Sequence, residues 1–246
     1  MQKWLHERLE KVRKDFIHNF ITENRWRYLW NGLGVTLKIT LYSLLVGLAI
    51  GIVVAILRAS HDKNADSMKF GLGRLALKVI NFICKIYLTI IRGTPLVLQL
   101  LIFWLVILVS VKDTVLIAVI GVGINAGAYI AEIFRSGIMS IDSGQFEAGR
   151  SLGFNYIQTM RYIIIPQAFK NVLPTLANEF IVLLKETAVV GYISLQDLTK
   201  AGHIIVGRTY NAMYPLYGVA IIYLVMVMFF TWLVGILERR LRSSER

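Results

Sequence analysis

The sequence predicts an all-α integral membrane protein with about five transmembrane helices. Of its 246 residues, 56% are hydrophobic and only 17% are charged, and the mean hydropathy is +0.61. The apolar residues are concentrated in four charge-free blocks of 16 to 23 residues, which are Ile39–Leu57, Leu96–Val111, Val115–Ala131 and Pro215–Leu237. Because a helix needs roughly 20 apolar residues to cross a bilayer, these blocks exclude a soluble protein.

Residues 1–31 precede the first predicted span and form an amphipathic segment. Seven Lys and Arg residues are mixed there with four acids, and apolar residues recur at helical spacing at Trp4, Leu5, Leu9, Val12, Phe16, Phe20 and Ile21. The pattern is typical of a helix that lies in the membrane interface, and a solvated or disordered tail is the alternative. The sequence therefore divides into this segment, a transmembrane domain at 32–242 and a C-terminal tail at 243–246.

The predicted spans follow one another at about 33–57, 96–111, 114–138, 167–190 and 215–237. A basic loop is predicted at 58–78 and a mixed helix at 76–91. Pro95 has no backbone N–H, so we expect a kink or break before the second span. Glycines spaced four residues apart predict close helix contacts inside the bundle, with contact between two chains as the alternative; they are Gly47, Gly51, Gly123 and Gly127.

The distribution of basic residues predicts the orientation. Segments 58–92, 135–170 and 238–246 contain 15 Lys and Arg residues, and the loops on the other side contain three. The positive-inside rule makes the first group cytoplasmic, which places the C-terminus in the cytoplasm and, with five spans, the N-terminus outside. The seven basic residues of the N-terminal segment raise the external count to 10, which weakens this prediction without reversing it.

Several kinds of chemistry are not predicted for this chain. Cys84 is the only cysteine, the four histidines are scattered without metal-ligand spacing, and no phosphate-binding GxxxxGK[ST] motif occurs. The sequence therefore predicts no catalytic residue, no metal site and no bound cofactor. The net charge of +12 is interpreted as attraction to anionic lipid and not to nucleic acid.

The polar stretch between the third and fourth predicted spans has signals for two short helices. Asp142 or Ser143 is expected to cap the first helix, and Gly153 suits a left-handed C-terminal cap. Asn155 is expected to start the second helix, which Pro166 would separate from the next span.

The same stretch resembles the EAA loop of ABC-importer permeases, whose pattern is EAA-x3-G-x9-I-x-L-P. The matching residues are Glu147-Ala148-Gly149, Gly153 and Ile163-x-Ile165-Pro166. Gly149 replaces the third alanine and Ile165 replaces the leucine. Other motifs within residues 30–242 resemble the polar-amino-acid branch of these permeases, the histidine, glutamine, arginine and cystine type. They are Gly34-x-Thr36-Leu37, Arg92-Gly93-Thr94-Pro95-Leu96, Gln99, Asn125-x-Gly127-Ala128-Tyr129-x-Ala131-Glu132-x-x-Arg135 and Leu184-Lys185-Glu186-Thr187.

The resemblance implies that the chain is the permease subunit of a polar-amino-acid importer in the plasma membrane and is not itself an enzyme. Its implied partners are two ATPase subunits that bind ATP and Mg, a second identical or related permease, and an extracytoplasmic amino-acid-binding protein. Residues 142–166 would form a cytoplasmic coupling loop against the ATPase. The implied coupling residues are Glu147, Ala148, Gly149, Gly153, Ile163 and Pro166.

Polar residues within the predicted spans are candidates for the substrate path, because ionisable groups inside a membrane usually face a cavity or a partner. An amino acid presents an ammonium and a carboxylate, and the path candidates are Asn125, Glu179, Lys185 and Glu186. For Lys185 and Glu186, snorkelling to the interface is the alternative. Glu132 and Arg135 are three residues apart, which predicts an ion pair with a structural or gating role.

Two other classes of membrane protein are alternatives to the importer. An ion-gradient-driven secondary transporter of amino acids would show inverted repeats with broken helices, and no repeat is visible. A membrane enzyme would need a nucleophile with a base, or a metal cluster, within the spans. The sequence leaves open which amino acid is transported and whether the two permeases are identical.

Overall fold

The computed structural model describes residues 1–64 and 71–243, which contain helices and no strand. The helices are α1 (Gln2–Phe16), α2 (Trp26–Asn64), α3 (Leu72–Gly93), α4 (Leu96–Ile102), α5 (Thr114–Met139), α6 (Ser143–Ser151), α7 (Tyr156–Thr159), α8 (Ile165–Glu186), α9 (Leu198–Thr209) and α10 (Met213–Ser243). Residues 65–70 of the predicted basic loop and residues 244–246 of the predicted tail lie outside the described residues.

Within the described residues, three helices are long and apolar enough to cross a membrane, and a bent pair makes four where the pair is counted as one span. They are Trp26–Asp62, Thr114–Met139, Met213–Arg240 and the pair Leu72–Gly93 with Leu96–Ile107. These helices include the predicted first, third and fifth spans, whereas the predicted second span at 96–111 is helical only as far as Ile107 and is one half of the bent pair. The all-helical membrane fold is confirmed. α8, predicted as a span at 167–190, is not among them because Gln167, Asn171, Asn178 and Glu179 interrupt its apolar sequence. Five spans therefore require α8 to cross the bilayer with its polar side chains against protein.

The first span is longer than predicted. α2 extends from Trp26 to Asn64, so the predicted loop at 58–78 is wrong over residues 58–64. It is also wrong over residues 72–78, because α3 begins at Leu72. α2 continues because Arg58 and Asp62 form ion pairs with α5, at distances of 3.1 Å and 3.7 Å. These pairs replace the water contacts that a polar loop would provide.

The glycines of α2 and α5 pack against each other, as the spacing predicts. A Cβ on Gly47 would lie 2.9 Å from the Cβ of Ala126, and one on Gly127 would lie 2.9 Å from Cγ2 of Ile50. Only glycine allows the two backbones to approach this closely. The glycines therefore serve contact inside the bundle, and α2 and α5 form its centre with Ile39, Ile117, Val122 and Ile130 fully buried.

The predicted break at Pro95 is confirmed, and its angle is large. α3 and the helix that starts at Leu96 are bent by 110°. Pro95 has extended backbone angles, and the side chain of Gln99 donates to the carbonyl oxygens of Ile91 (2.8 Å) and Thr94 (3.0 Å). These bonds satisfy carbonyl groups that the break leaves without helical partners.

The N-terminal segment forms α1, whose apolar side chains Trp4, Leu5, Leu9, Val12 and Phe16 are about half exposed. The chain then continues through two short helical turns over Ile17–Asn24, which contain a kink at Glu23. Phe20 packs against Gly218 at the beginning of α10, and Arg208 of α9 lies 3.8 Å from Glu23. This segment is therefore attached to α9 and α10 at the end of the bundle where α2 begins.

α9 is fixed to the same end by its N-terminal cap. Asp197 accepts hydrogen bonds from the backbone N–H groups of Thr199 (3.0 Å) and Lys200 (2.9 Å). Burial raises the pKa of the Asp197 carboxyl, and these hydrogen bonds act in the opposite direction. The backbone N–H of Leu198 donates to the hydroxyl of Thr36 in α2 (3.1 Å), so α9 is joined to the first span.

Candidate functional site

The short helix α6 lies directly after α5 and is capped at both ends. Asp142 accepts a hydrogen bond from the backbone N–H of Gly144 at 2.6 Å, as predicted for the N-terminal cap. Gly153 has a φ of +81°, and its N–H donates to the carbonyl of Arg150 (2.9 Å) while that of Phe154 donates to Gly149 (3.0 Å). This pair of bonds is a Schellman motif, so the loop leaves α6 in a defined direction.

Asn155 begins the second helix, also as predicted. Its side chain accepts from the N–H of Gln158, and the side chain of Gln158 accepts from the N–H of Asn155, each at 2.9 Å. Pro166, however, does not end this helix, and that prediction is wrong. The helix passes through a π-helical turn at Met160–Ile164 and continues as α8. The wider turn, in which Ile165 donates to Met160, accommodates a proline that has no N–H and would clash with a regular helix.

The EAA residues divide into an outward-facing group and an inward-facing group. Glu147 and Ala148 are exposed, whereas Gly149 is buried against Thr159. A Cβ on Gly149 would lie 2.6 Å from Cγ2 of Thr159 and 3.2 Å from Cδ1 of Ile163. This contact gives a physical reason for glycine where the family pattern has alanine.

The inward-facing side of this loop packs on the ends of the spans. Ile163 contacts a buried cluster that contains Ala59 of α2, Ile138 of α5 and Ala168 of α8. Pro166 is exposed. The opposite surface of the loop presents large apolar side chains that are about 60 to 70% exposed, namely Leu152, Ile157 and Tyr162.

Glu132 and Arg135 belong to a larger charged network that joins α5 to α2. The guanidinium of Arg135 binds one carboxylate oxygen of Glu132, at 2.5 Å, and Arg58 binds the other at 3.1 Å. Arg135 also lies 3.7 Å from Asp62. The carboxylate of Glu132 therefore bridges two arginines on different helices.

A cavity of about 490 Å³ opens between α3, α5 and α8. Glu179, Thr175 and Asn171 recur every four residues along α8 and form one wall. Arg92 of α3 also lines the cavity, with its guanidinium 5.6 Å from the ring centre of Tyr129. The wall of α5 includes Tyr129, Glu132 and Ser136, and Ser140 follows directly after the end of this helix. The cavity thus brings one guanidinium and two carboxylates into a single polar space.

The structure does not bring all four path candidates to this cavity. Glu179 lines it, whereas Asn125 is 4% exposed and donates a hydrogen bond to the side-chain oxygen of Gln99 at 2.9 Å. Asn125 is thereby joined to the bend at Pro95. Lys185 and Glu186 lie beyond Glu179 near the end of α8 and are not part of the cavity wall.

Sequence reasoning missed Arg92, Arg58 and Asp62 as members of these sites. Arg92 was visible as the first residue of the Arg-Gly-Thr-Pro motif, and Arg58 as the first charge after an apolar block. What they face depends on the packing of α2, α3 and α5, which no local pattern specifies. Within residues 1–64 and 71–243, no three His, Cys, Asp or Glu side chains form a group that could hold a metal ion.

Comparison with protein families gives one match that includes most of the chain. Residues 70–243 match the family described as binding-protein-dependent transport system inner membrane component. The matched region begins before α3 and ends with α10, so it includes the bend, the loop after α5 and the cavity.

Individual proteins give the same result. A putative glutamine transport system permease protein of Rickettsia bellii is 38% identical over 170 residues, 68% of this chain and 78% of that protein. The arginine transport system permease protein of Bacillus subtilis is 41% identical over 167 residues, 67% of this chain and 76% of that protein. The crystal structure of an amino acid ABC transporter with histidines superposes with a TM-score of 0.78 and 38% identity, over 90% of this chain and 98% of that one.

Proposed function

Because this chain belongs to the family of binding-protein-dependent transport system inner membrane components, we propose that it is the permease of an ABC importer for a polar amino acid. Its relatives are named as glutamine and arginine permeases, and the similar solved structure is an amino acid ABC transporter. The chain forms the path through the membrane and is not itself an enzyme. These similarities do not favour the secondary-transporter alternative.

The loop at 142–166 is the coupling segment in this proposal. The observation that supports it best is the short, doubly capped helix α6 together with three large apolar side chains that the loop exposes after it, Leu152, Ile157 and Tyr162. Its inner surface is packed on α2, α5 and α8, so a displacement of α6 by a partner would move three helices together. The proposed contacts with the ATPase come from Glu147 and Ala148, with Gly149, Gly153, Ile163 and Pro166 maintaining the loop's shape.

The remaining parts of the importer follow from this assignment. Two separate ATPase subunits supply ATP hydrolysis with Mg, a second permease completes the path, and an extracytoplasmic binding protein delivers the amino acid. The coupling loop and C-terminus are cytoplasmic and the N-terminus is external. In support, Ala59 near one end of α2 packs with the coupling loop, while the N-terminal segment contacts α9 and α10 at the other end.

The cavity between α3, α5 and α8 is the proposed substrate site. A free amino acid is a zwitterion, and the walls of the cavity include both the guanidinium of Arg92 and the carboxylate of Glu179. Its volume of about 490 Å³ lies in the range of small-molecule sites, roughly 300–1,000 Å³. Arg92 would bind the substrate carboxylate and Glu179 the ammonium group, because charged partners in a membrane cavity compensate for lost hydration.

Co-purification with amino-acid-importer ATPase subunits from the same organism tests the coupling assignment. Wild-type protein should retain an ATPase in detergent, and Glu147→Lys should reduce the retained amount because it reverses a charge on the outer surface of α6. Glu7→Lys in α1 is the matched control, since Glu7 is also exposed but lies outside the loop. Equal retention by the two variants would contradict the role of Glu147, and no retention by folded wild type would contradict the coupling assignment.

A further inference from the structure

A second cavity, of about 560 Å³, opens between α2, α3 and α5. It is next to the proposed substrate site, with which it shares Arg92 and Glu132. Its walls are formed by Arg58, Lys85, Leu88, Thr89, Arg92, Gly93 and Glu132. We refer to it as the basic pocket.

The basic pocket has an excess of positive charge. It contains three cations, Arg58, Lys85 and Arg92, and a single carboxylate, Glu132. That carboxylate is already bound by Arg58 at 3.1 Å and by Arg135. Among the described residues, neither Lys85 nor Arg92 forms a salt bridge. The pocket can therefore accept an anion at Lys85 without displacing an existing ion pair, whereas Arg92 is shared with the proposed substrate site.

Unused hydrogen-bond donors point to the same kind of ligand. Within the part of the chain that the structure describes, the buried Nε of Arg58 has no hydrogen-bond partner. Lys85, Thr89 and Arg92 follow one another at helical spacing on one side of α3, so an ammonium, a hydroxyl and a guanidinium face the pocket together. This set of donors suits a group with several anionic oxygens, such as a phosphate.

The surface beside the pocket is strongly apolar. α3 exposes Phe82, Ile86 and Ile90, with exposed fractions of 64%, 42% and 55%. They recur every four residues and form a strip next to the line of donors. The pocket lies toward the coupling-loop end of α2, because Ala59, next to Arg58, packs with residues around that loop.

We propose that the basic pocket binds the phosphate of an anionic phospholipid whose acyl chains lie along Phe82, Ile86 and Ile90. Basic pockets between membrane helices on the cytoplasmic side are suited to anionic headgroups, and the apolar strip provides a surface for the chains. A free phosphate would satisfy the same donors but would leave the strip uncovered. Phospholipid binding goes beyond transport and is measured without it, so its failure would be distinct from failure of the proposed function.

Lipid retention by the purified full-length protein tests this proposal. The protein is reconstituted in nanodiscs with equal parts phosphatidylglycerol and phosphatidylcholine of the same acyl chains, extracted, and examined by native mass spectrometry. Wild type should retain phosphatidylglycerol preferentially. Lys85→Gln should reduce its retention about fivefold, the effect expected for one basic residue next to an anionic lipid, and Lys85→Arg should preserve it.

Lys78→Gln is the matched control because Lys78 is exposed on the same helix but lies outside the basic pocket. It should retain phosphatidylglycerol as wild type does. The proposal would be overturned if Lys78→Gln and Lys85→Gln lose phosphatidylglycerol to the same extent. It would also be overturned if wild type retains phosphatidylglycerol and phosphatidylcholine equally. Displacement of phosphatidylglycerol by inorganic phosphate at constant ionic strength would assign the pocket to a free phosphate and overturn the lipid assignment.

Discussion

Gly149 and Gly153 lie four residues apart in the coupling loop, and each is glycine for a different physical reason. Gly149 is helical and buried, and a side chain there would collide with Thr159. Gly153 has open space around it but a φ of +81°, a conformation that costs other L-residues free energy. The sequence predicted the requirement at Gly153 from its position after a helix. It could not predict the requirement at Gly149, which depends on a contact with the next helix.

Gly149→Ala should loosen the coupling loop. The added Cβ would lie 2.6 Å from Cγ2 of Thr159, and overpacking of this kind costs about 1–3 kcal/mol. Amide hydrogen exchange measured by mass spectrometry should show faster exchange in α6, about tenfold or more, because local opening becomes less costly.

A second substitution tests whether the collision is the cause. Thr159→Ala removes the atoms nearest to the added Cβ, so the double variant should regain most of the protection in α6. Gly207→Ala in α9 is the control, because no atom lies within 4 Å of its added Cβ, and it should leave α6 unchanged. Wild-type exchange rates in Gly149→Ala would show that the loop has room for alanine.

Pro95 and Pro166 are the same residue type with opposite effects on their helices. Pro95 coincides with a 110° bend because Gln99 provides side-chain hydrogen bonds for the carbonyl groups of Ile91 and Thr94. Pro166 follows a π-helical turn that accommodates it, and the helix continues through it. The sequence predicted a discontinuity at both, since a missing N–H is visible in the residue type. Whether the helix breaks depends on which groups replace the missing bond.

α2 and α5 pack closely at the centre of the bundle. Gly127→Leu should disrupt this contact and lower the stability of the bundle. A Cβ at this position would lie 2.9 Å from Cγ2 of Ile50 and 3.0 Å from the Tyr87 hydroxyl. The larger side chain must separate the helices or displace Ile50, at a cost of about 3 kcal/mol. Thermal unfolding followed by circular dichroism in a fixed detergent should therefore show a lower midpoint.

Gly34→Leu is the control, because Gly34 lies on an exposed surface of α2. Gly34 is exposed on α2 and has no atom within 4 Å of an added Cβ, so its unfolding midpoint should stay near that of wild type. If both variants unfold at the wild-type temperature, the α2–α5 contact does not limit the stability of the bundle.

At the scale of the whole molecule, the sequence predicted helices well and their mutual contacts poorly. Apolar length identified α5 almost to the residue, since the span predicted at 114–138 is the helix Thr114–Met139. The span predicted at 215–237 identified α10, but that helix extends from Met213 to Ser243 because its basic end remains helical. The bridge from Glu132 to Arg58 joins residues 74 positions apart, and no local pattern specifies such a distance. The cavity requires three helices together, so the sequence anticipated only Glu132 and Glu179 among its polar residues.

The cavity gives a prediction that separates two of the path candidates. Glu179 lines it and Lys185 does not, although both were predicted from sequence. In the importer reconstituted with its ATPase and binding protein, Glu179→Gln should raise the KM for the transported amino acid about tenfold or more, because a hydrogen bond to a charged group contributes about 1.5–3 kcal/mol.

Lys185→Gln should leave the same KM within experimental error, since Lys185 is exposed near the end of α8 and outside the cavity wall. Both variants replace an ionisable side chain of α8 with glutamine, so an unchanged KM in Lys185→Gln would show that such a substitution in this helix does not by itself impair transport. An unchanged KM in Glu179→Gln with a raised KM in Lys185→Gln would contradict the assignment of the α3–α5–α8 cavity. It would place the substrate path at the C-terminal end of α8 instead. A raised KM in Glu179→Gln with an unchanged KM in Lys185→Gln would place the ammonium group of the substrate at Glu179, in the cavity that Arg92 also lines.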